Sequence, residues 1–66
     1  MDKKYVIYNF INEYYERNYD NGMPKLTSFI EDAILFDLHE VKIKLTELHK
    51  MGFTGLDYDK KENDYI

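Results

Sequence analysis

Residues 38–53 have the sequence LHEVKIKLTELHKMGF, which carries the clearest structural signal in the chain. Three of its apolar residues recur at spacings of four and three: Val41, Leu45 and Leu48. This spacing places them on one side of an α-helix. Gly52 follows one turn later and is a common residue at a helix end. The stretch therefore predicts a helix over residues 38–51 whose apolar side is buried and whose other side is free to bind.

Two helix-capping patterns lie just before this helix. Asp37 and Glu40 are three residues apart, as are Ser28 and Glu31. In each pair the first side chain can accept a hydrogen bond from the backbone at a helix start, and the second can reach back to the cap residue. The two pairs predict two consecutive helices, of which the earlier spans residues 28–36.

The N-terminal part of the chain also shows helical spacing. Its bulky residues at positions i, i+3, i+4 and i+7 are Ile7, Phe10, Ile11 and Tyr14. They predict a helix over residues 4–17. Residues 18–24 contain Asn-Gly and Pro, which disfavour helix continuation, so we expect a loop there.

The pattern changes to alternation after the last predicted helix. Residues 53–59 alternate between bulky and polar side chains, residues 60–63 are polar, and residues 64–66 resume the alternation. This arrangement predicts a β-hairpin at the end of the sequence. The predicted fold class is therefore mainly α with a small β-hairpin (α+β), in a single domain over residues 1–66.

The composition limits the classes of protein. A chain of 66 residues forms one small domain, and a hydrophobic content of 44% predicts that it folds. It contains no cysteine, which excludes disulfides and cysteine zinc sites and favours a cytoplasmic location. No apolar run is long enough to cross a bilayer, so no membrane partner is expected. A net charge of −4 without a basic tail argues against a non-specific DNA coat.

Three helices followed by a hairpin resemble the winged helix-turn-helix family of DNA-binding domains. Residues 41–53 are similar to the family's third helix, with apolar residues at 4-3-4 spacing and a final Gly-apolar pair, and residues 24–27 are similar to the entry to its second helix. The resemblance implies a three-helix helix-turn-helix core followed by a C-terminal wing. It also implies a small sequence-specific transcription regulator that binds double-stranded DNA, with the third helix in the major groove and the wing on the backbone.

The outward side of the helix over residues 38–51 has side chains that can contact DNA. Those expected to reach bases are His39, Lys42, Ile43 and Thr46, and those expected to neutralise phosphate are Lys25, Lys50, Lys60 and Lys61. Lysine can bind guanine or phosphate, threonine can donate or accept, and isoleucine can contact a thymine methyl group. The same mixture of lysine and glutamate is also typical of a solvated helix face without a ligand.

Tyrosines form a second row on the predicted N-terminal helix. The row has 3-4-3-4 spacing when one asparagine is included, and its tyrosines are Tyr5, Tyr8, Tyr15 and Tyr19. An exposed tyrosine row suits a protein interface, so we expect a homodimer, or another bound protein, at this row. The alternative is that some of these rings cover the core of a small domain.

The chain lacks the patterns of catalysis. His39 and His49 are ten residues apart, whereas metal ligands on one helix need a spacing of three or four. The carboxylates have no Gly-rich phosphate loop or nucleophile elbow beside them. We therefore expect no enzyme, no metal, no cofactor and no small-molecule substrate.

The acidic net charge favours a second hypothesis for function. The same scaffold would then act as a protein-interaction module that does not bind DNA, such as a small phage-type inhibitor or assembly factor that acts on a host protein. Binding to random duplex DNA at low salt separates the two hypotheses, because counterion release lets even a modest basic patch bind there.

Overall fold

Four β-strands and one α-helix form the described part of the chain, residues 3–61 of a computed structural model. The elements are β1 (Tyr5–Tyr8), β2 (Tyr14–Asn18), β3 (Pro24–Thr27), α1 (Leu38–Lys50) and β4 (Asp57–Lys60). The strands form one antiparallel sheet in the order β3-β2-β1-β4. The prediction of a mainly α fold, with a three-helix helix-turn-helix core and a wing, is therefore wrong.

The helix predicted over residues 4–17 is instead the hairpin of β1 and β2, in which Tyr8 lies opposite Tyr14. Strand β1 consists of Tyr, Val, Ile and Tyr. Aromatic and β-branched side chains fit the pleated surface of a sheet and favour extended backbone. The helical spacing arose by coincidence, because Ile7 lies in a strand and Phe10 in the turn that follows it.

The two hairpins of the sheet use the same turn. In the loops of residues 9–13 and 19–23, the first backbone N–H donates to the last carbonyl, over 2.9 and 2.7 Å. The fourth residue of each loop has a positive φ, 61° at Asn12 and 87° at Gly22. A type I turn followed by a left-handed residue is a common way to close a hairpin. The predicted loop over residues 18–24 thus connects two strands and not two helices.

Residues 28–36, predicted as a helix, contain only a 3₁₀ turn over Ile30–Asp32. That turn begins after Phe29 and has no side-chain cap, so the pattern at Ser28 does not act as one. Further along, Phe36 exchanges two backbone hydrogen bonds of 2.9 Å with Tyr5 of β1. The segment therefore joins the sheet, where its backbone groups find partners without forming a helix.

The helix predicted over residues 38–51 is confirmed as α1. The Asp37 side chain accepts from the backbone N–H of Glu40 over 2.8 Å, and the Glu40 carboxylate accepts from the Asp37 N–H over 3.1 Å, which completes the capping box. At the other end Gly52 has a φ of 106°. Its N–H and that of Phe53 donate back to the carbonyls of the last helical turn, which forms a Schellman motif.

The core lies between α1 and one face of the sheet. The buried cluster consists of Ile7, Tyr15, Phe36, Val41, Leu45, Leu48 and Leu56. Because neighbouring residues of a strand point to opposite faces, Ile7 faces the helix whereas Val6 and Tyr8 face away from it. Val6 is nevertheless buried, in a hollow of about 440 Å³ on that second face, which Tyr14 and Ile30 also line. The helix packs on one face of the sheet, and the second face is partly open.

Strand β4 forms the edge of the sheet beside β1. Tyr5 lies opposite Lys60, and Tyr8 lies opposite Asp57. The sequence predicts that residues 53–59 pair with residues 64–66, and this second predicted strand lies outside the described residues. Strand β4 pairs with β1, some fifty residues earlier in the chain, and no local sequence pattern predicts a pairing over this distance.

Candidate interaction surface on helix α1

The outward face of α1 brings five of the predicted DNA-contacting residues together. They are His39, Lys42, Ile43, Thr46 and Lys50, all exposed. Together with Glu47 they line a shallow groove of about 410 Å³. They share this face because Val41, Leu45 and Leu48 occupy the opposite side of the helix and are buried against the sheet.

A second groove, of about 310 Å³, runs between α1 and residues 34–36. Ile34 and Ile43 are 44% and 50% exposed, so neither finds full cover within the described chain. Ile43 lines both grooves and forms the ridge between them. We name the two grooves and this ridge the α1 surface. Its centre is apolar and its borders are charged, which is the arrangement of a protein interface.

Two ion pairs border the second groove. The Nζ atom of Lys3 lies 2.7 Å from Oε1 of Glu40, and that of Lys44 lies 3.1 Å from Oε1 of Glu47. The hydrogen bond from Lys3 lowers the pKa of Glu40, aided by the backbone N–H of Asp37, and the same bond raises the pKa of Lys3. The first pair is solvent-exposed and the second is partly exposed at Lys44, so both position side chains around Ile43 and contribute little to folding.

The α1 surface differs in charge from the rest of the chain. It carries four lysines and two glutamates: Lys3, Lys42, Lys44, Lys50, Glu40 and Glu47. Their formal charge is +2, whereas the whole chain carries −4, so the remaining residues carry −6. The α1 surface is thus less acidic than the chain as a whole, and it repels an acidic ligand less than the average charge of the chain implies.

The other lysines predicted to bind phosphate lie elsewhere. Lys25 is on β3, where its Nζ atom lies 3.4 Å from the Glu16 carboxylate. Lys60 lies on the edge strand β4 opposite Tyr5, and Lys61 lines the hollow on the sheet face that points away from α1. A rigid duplex that lies in the groove of α1 therefore has no wing of the predicted kind beside it.

The four tyrosines predicted to form an interface row do not share a surface. Tyr15 is buried and stacks on Phe36 at 6.2 Å between ring centroids. Tyr5 packs at the edge of the core, Tyr8 points to the second face of the sheet, and Tyr19 lies at the β2–β3 turn, where the Arg17 guanidinium is 5.6 Å from its ring. The four side chains do not form a row because the prediction required a helix, whereas these residues lie on two strands and a turn.

Two apolar features of the surface were not predicted. Ile34 lies in the segment predicted as a helix over residues 28–36, yet it borders the α1 surface. Phe10 and Ile11 are 87% and 58% exposed in the β1–β2 turn. Asn9 and Asn12, which flank this pair, were the available turn signal in the sequence.

Within residues 3–61 no group of three or more His, Asp or Glu side chains is placed to hold a metal ion. His49 has a structural partner, since its Nε2 atom lies 2.8 Å from the carbonyl oxygen of Leu56 and must donate to it. None of the helices in the same residues is long and apolar enough to span a bilayer.

No protein-family model, curated protein or solved structure matches the chain. The side chains and geometry of the chain itself are therefore the basis for inferring its function.

Proposed function

We propose that this protein is a non-enzymatic protein-interaction module that binds through the α1 surface. The observation that carries the proposal is the pair Ile34 and Ile43, which are 44% and 50% exposed on either side of one groove. Because each side chain is already about half buried, covering the exposed half is worth about 0.7–1.5 kcal/mol each, so a partner that covers both gains binding energy. A small inhibitor or assembly factor that acts on another protein is one role for such a module.

Charges around the apolar centre support specificity. Glu40 and Glu47 lie on one flank of Ile43, and Lys42 lies on the other. Charged groups at the border of an interface mainly select the partner and its orientation, whereas the apolar centre supplies affinity. The sequence-based prediction of a cytoplasmic location fits this role and stays a prediction.

Site-specific photo-crosslinking in cells that express the chain tests this function. A photoreactive phenylalanine analogue replaces His39 on the α1 surface or Asp20 in the β2–β3 turn. We expect discrete crosslinked species from position 39 alone, and we expect Ile43→Glu to remove them. Equal crosslinking from both positions, or crosslinking that Ile43→Glu does not change, contradicts the proposal.

DNA binding is the second candidate, and the formal charge of +2 on the α1 surface favours it. His39, Lys42 and Thr46 line one groove, and these side chains can donate to base edges or phosphates. The test is titration of random duplex DNA at about 20 mM salt, where counterion release strengthens binding. Binding that weakens with added salt and is lost in Lys42→Glu supports DNA as the ligand, and no binding at this salt excludes it.

A further inference from the structure

We propose that a second copy of this chain covers the α1 surface, with its own α1 parallel to the first. This proposal rests on the proposed function, because it uses the same surface and names the partner. Three observations carry it: the shape around Ile43, the spacing of the exposed residues along α1, and the signs of the charges on the two flanks.

The shape of the α1 surface is self-complementary. Ile43 is a ridge with a groove of about 310 Å³ on one side and one of about 410 Å³ on the other. When two copies meet about a two-fold axis, the ridge of each enters a groove of the other, which is how packed helices interlock. In a parallel pair the ridge enters the groove of about 410 Å³, and Ile34 lies beside Glu40 and Glu47 on the flank that meets Lys42 of the other copy.

The spacing along α1 fits helix pairing. The exposed residues nearest the centre of the outward face are His39, Ile43, Thr46 and Lys50, at intervals of four, three and four. This is the spacing of the a and d positions that form the seam between two paired helices, and Ile43 is the apolar residue of this seam. Lys50 is the last residue of the helix, where a long side chain can carry its charge past the seam into water.

The charges on the two flanks select a parallel arrangement. Glu40 and Glu47 take the e positions, whereas Lys42 and His49 take the g positions. In a parallel pair, Lys42 of each copy meets Glu47 of the other, five residues further along. In an antiparallel pair, Glu40 meets Glu47 of the other copy, so Lys42 has no carboxylate opposite it. Two attractive contacts therefore form only in the parallel pair.

The contact is small, and this sets the expected strength. Helix α1 has 13 residues and is therefore about 20 Å long. A stable complex buries about 800 Å² on each partner, more than one short helix and its flanking segment provide. We expect a reversible dimer with a dissociation constant on the order of 100 μM.

Analytical ultracentrifugation of the full chain from about 10 μM to about 1 mM tests the proposal, because this range brackets the expected dissociation constant. The wild-type chain should change from monomer to dimer across the range. Ile43→Glu should stay monomeric throughout. The matched control is Ile11→Glu, which places the same charge on a similarly exposed isoleucine in the β1–β2 turn and should dimerise as the wild type does.

Charge variants test the orientation. Glu47→Lys should weaken a parallel dimer about threefold, since it removes both contacts with Lys42, whereas it should strengthen an antiparallel one by pairing with Glu40. The swap Lys42→Glu with Glu47→Lys should restore the parallel dimer. Circular dichroism confirms that each variant folds.

The outcomes separate the two proposals. A wild-type chain that is monomeric at about 1 mM overturns the dimer. If crosslinks from position 39 to a different protein persist in that case, the proposed function stands with another partner. If crosslinks to any protein are absent as well, both proposals fail. A dimer that Ile43→Glu leaves intact places the interface elsewhere and overturns the inference.

Discussion

Asn12 and Gly22 hold equivalent positions in two successive hairpins, and both have a positive φ. A left-handed backbone brings Cβ close to the following carbonyl, and glycine avoids this contact while asparagine tolerates it best among the other residues. No heavy atom lies within 4 Å of a Cβ placed on Gly22, so its requirement is for backbone freedom and not for space.

We expect the stability of the protein with Asn, Gly or Val at position 12 to follow how well each residue tolerates the left-handed backbone. Asn12→Val should destabilise the fold by about 1–2 kcal/mol, since a β-branched side chain in a left-handed conformation is strained. Asn12→Gly should leave stability within about 0.5 kcal/mol or raise it. Urea denaturation measures both. An Asn12→Val variant as stable as the wild type would show that the turn is not the one described.

The ion pair of Lys3 and Glu40 predicts how stability depends on pH. The folded-state pKa of Glu40 is lowered from 4.5. The contribution of Glu40 to the stability of the fold is therefore present above pH 4.5 and is lost as the pH falls through the lowered value. The folded-state pKa of Lys3 is raised from 10.5. The contribution of Lys3 to the stability of the fold is therefore present below pH 10.5 and is lost as the pH rises through the raised value.

Thermal unfolding of Lys3→Met against the wild type measures this dependence. The difference in melting temperature should be largest between these two limits and should shrink towards both. Lys42→Met is the control, because Lys42 is exposed and has no ion pair within residues 3–61. A difference between Lys3→Met and wild type that stays constant down to about pH 2, well below the ordinary carboxylate pKa, would contradict the prediction.

At the scale of the elements, α1 depends on its two ends. The capping box at Asp37 satisfies backbone donors at the start of the helix, and the Schellman motif at Gly52 satisfies carbonyls at its end. The helix has only 13 residues, a length that is marginal in isolation, so its caps and its packing determine whether it forms.

The two capping patterns of the sequence, at Asp37 and at Ser28, should therefore respond differently to mutation. Asp37→Ala should cost about 1 kcal/mol, because it removes the bond to the Glu40 N–H. Ser28→Ala changes the other predicted cap, which makes no capping bond in the structure, and should cost less than about 0.5 kcal/mol. Chemical denaturation compares the two. Equal costs would mean that residues 28–36 form the helix that the pattern predicts.

At the scale of the whole molecule, a small core holds one helix on one sheet. Leu48 is 1% exposed and lies among residues contributed by α1, β1 and the segment before β4. Removing most of its side chain leaves a cavity that a domain of this size cannot refill with other apolar groups.

Leu48→Ala should therefore destabilise the protein by about 2–5 kcal/mol, enough to unfold a marginal domain. Phe10→Ala is the control, because Phe10 is larger but 87% exposed, and its loss should cost less than about 1 kcal/mol. Melting temperatures measure both changes. A Phe10→Ala variant that is destabilised as much as Leu48→Ala would place the core elsewhere.

Local chemistry in the sequence was enough to predict α1, since the Asp37 cap, the apolar spacing of its buried side and Gly52 all act within a few residues of one another. The outward face, with Ile43 on it, followed from the same periodicity, whereas the groove between α1 and residues 34–36 did not. The first helix was not predictable in this way, because Ile7 and Phe10 match a helical spacing as well as they match a strand and its turn.

Contacts between distant residues account for the rest. Tyr5 pairs with both Phe36 and Lys60, and these partners hold β1 in the centre of a sheet. The same folding brings Ile34 beside Ile43 and places Lys60 on the edge strand β4 opposite Tyr5. The spacing of apolar residues reports only how neighbouring side chains are arranged within one element. Strand pairing depends on the free energy of the whole fold, which no single stretch of sequence determines.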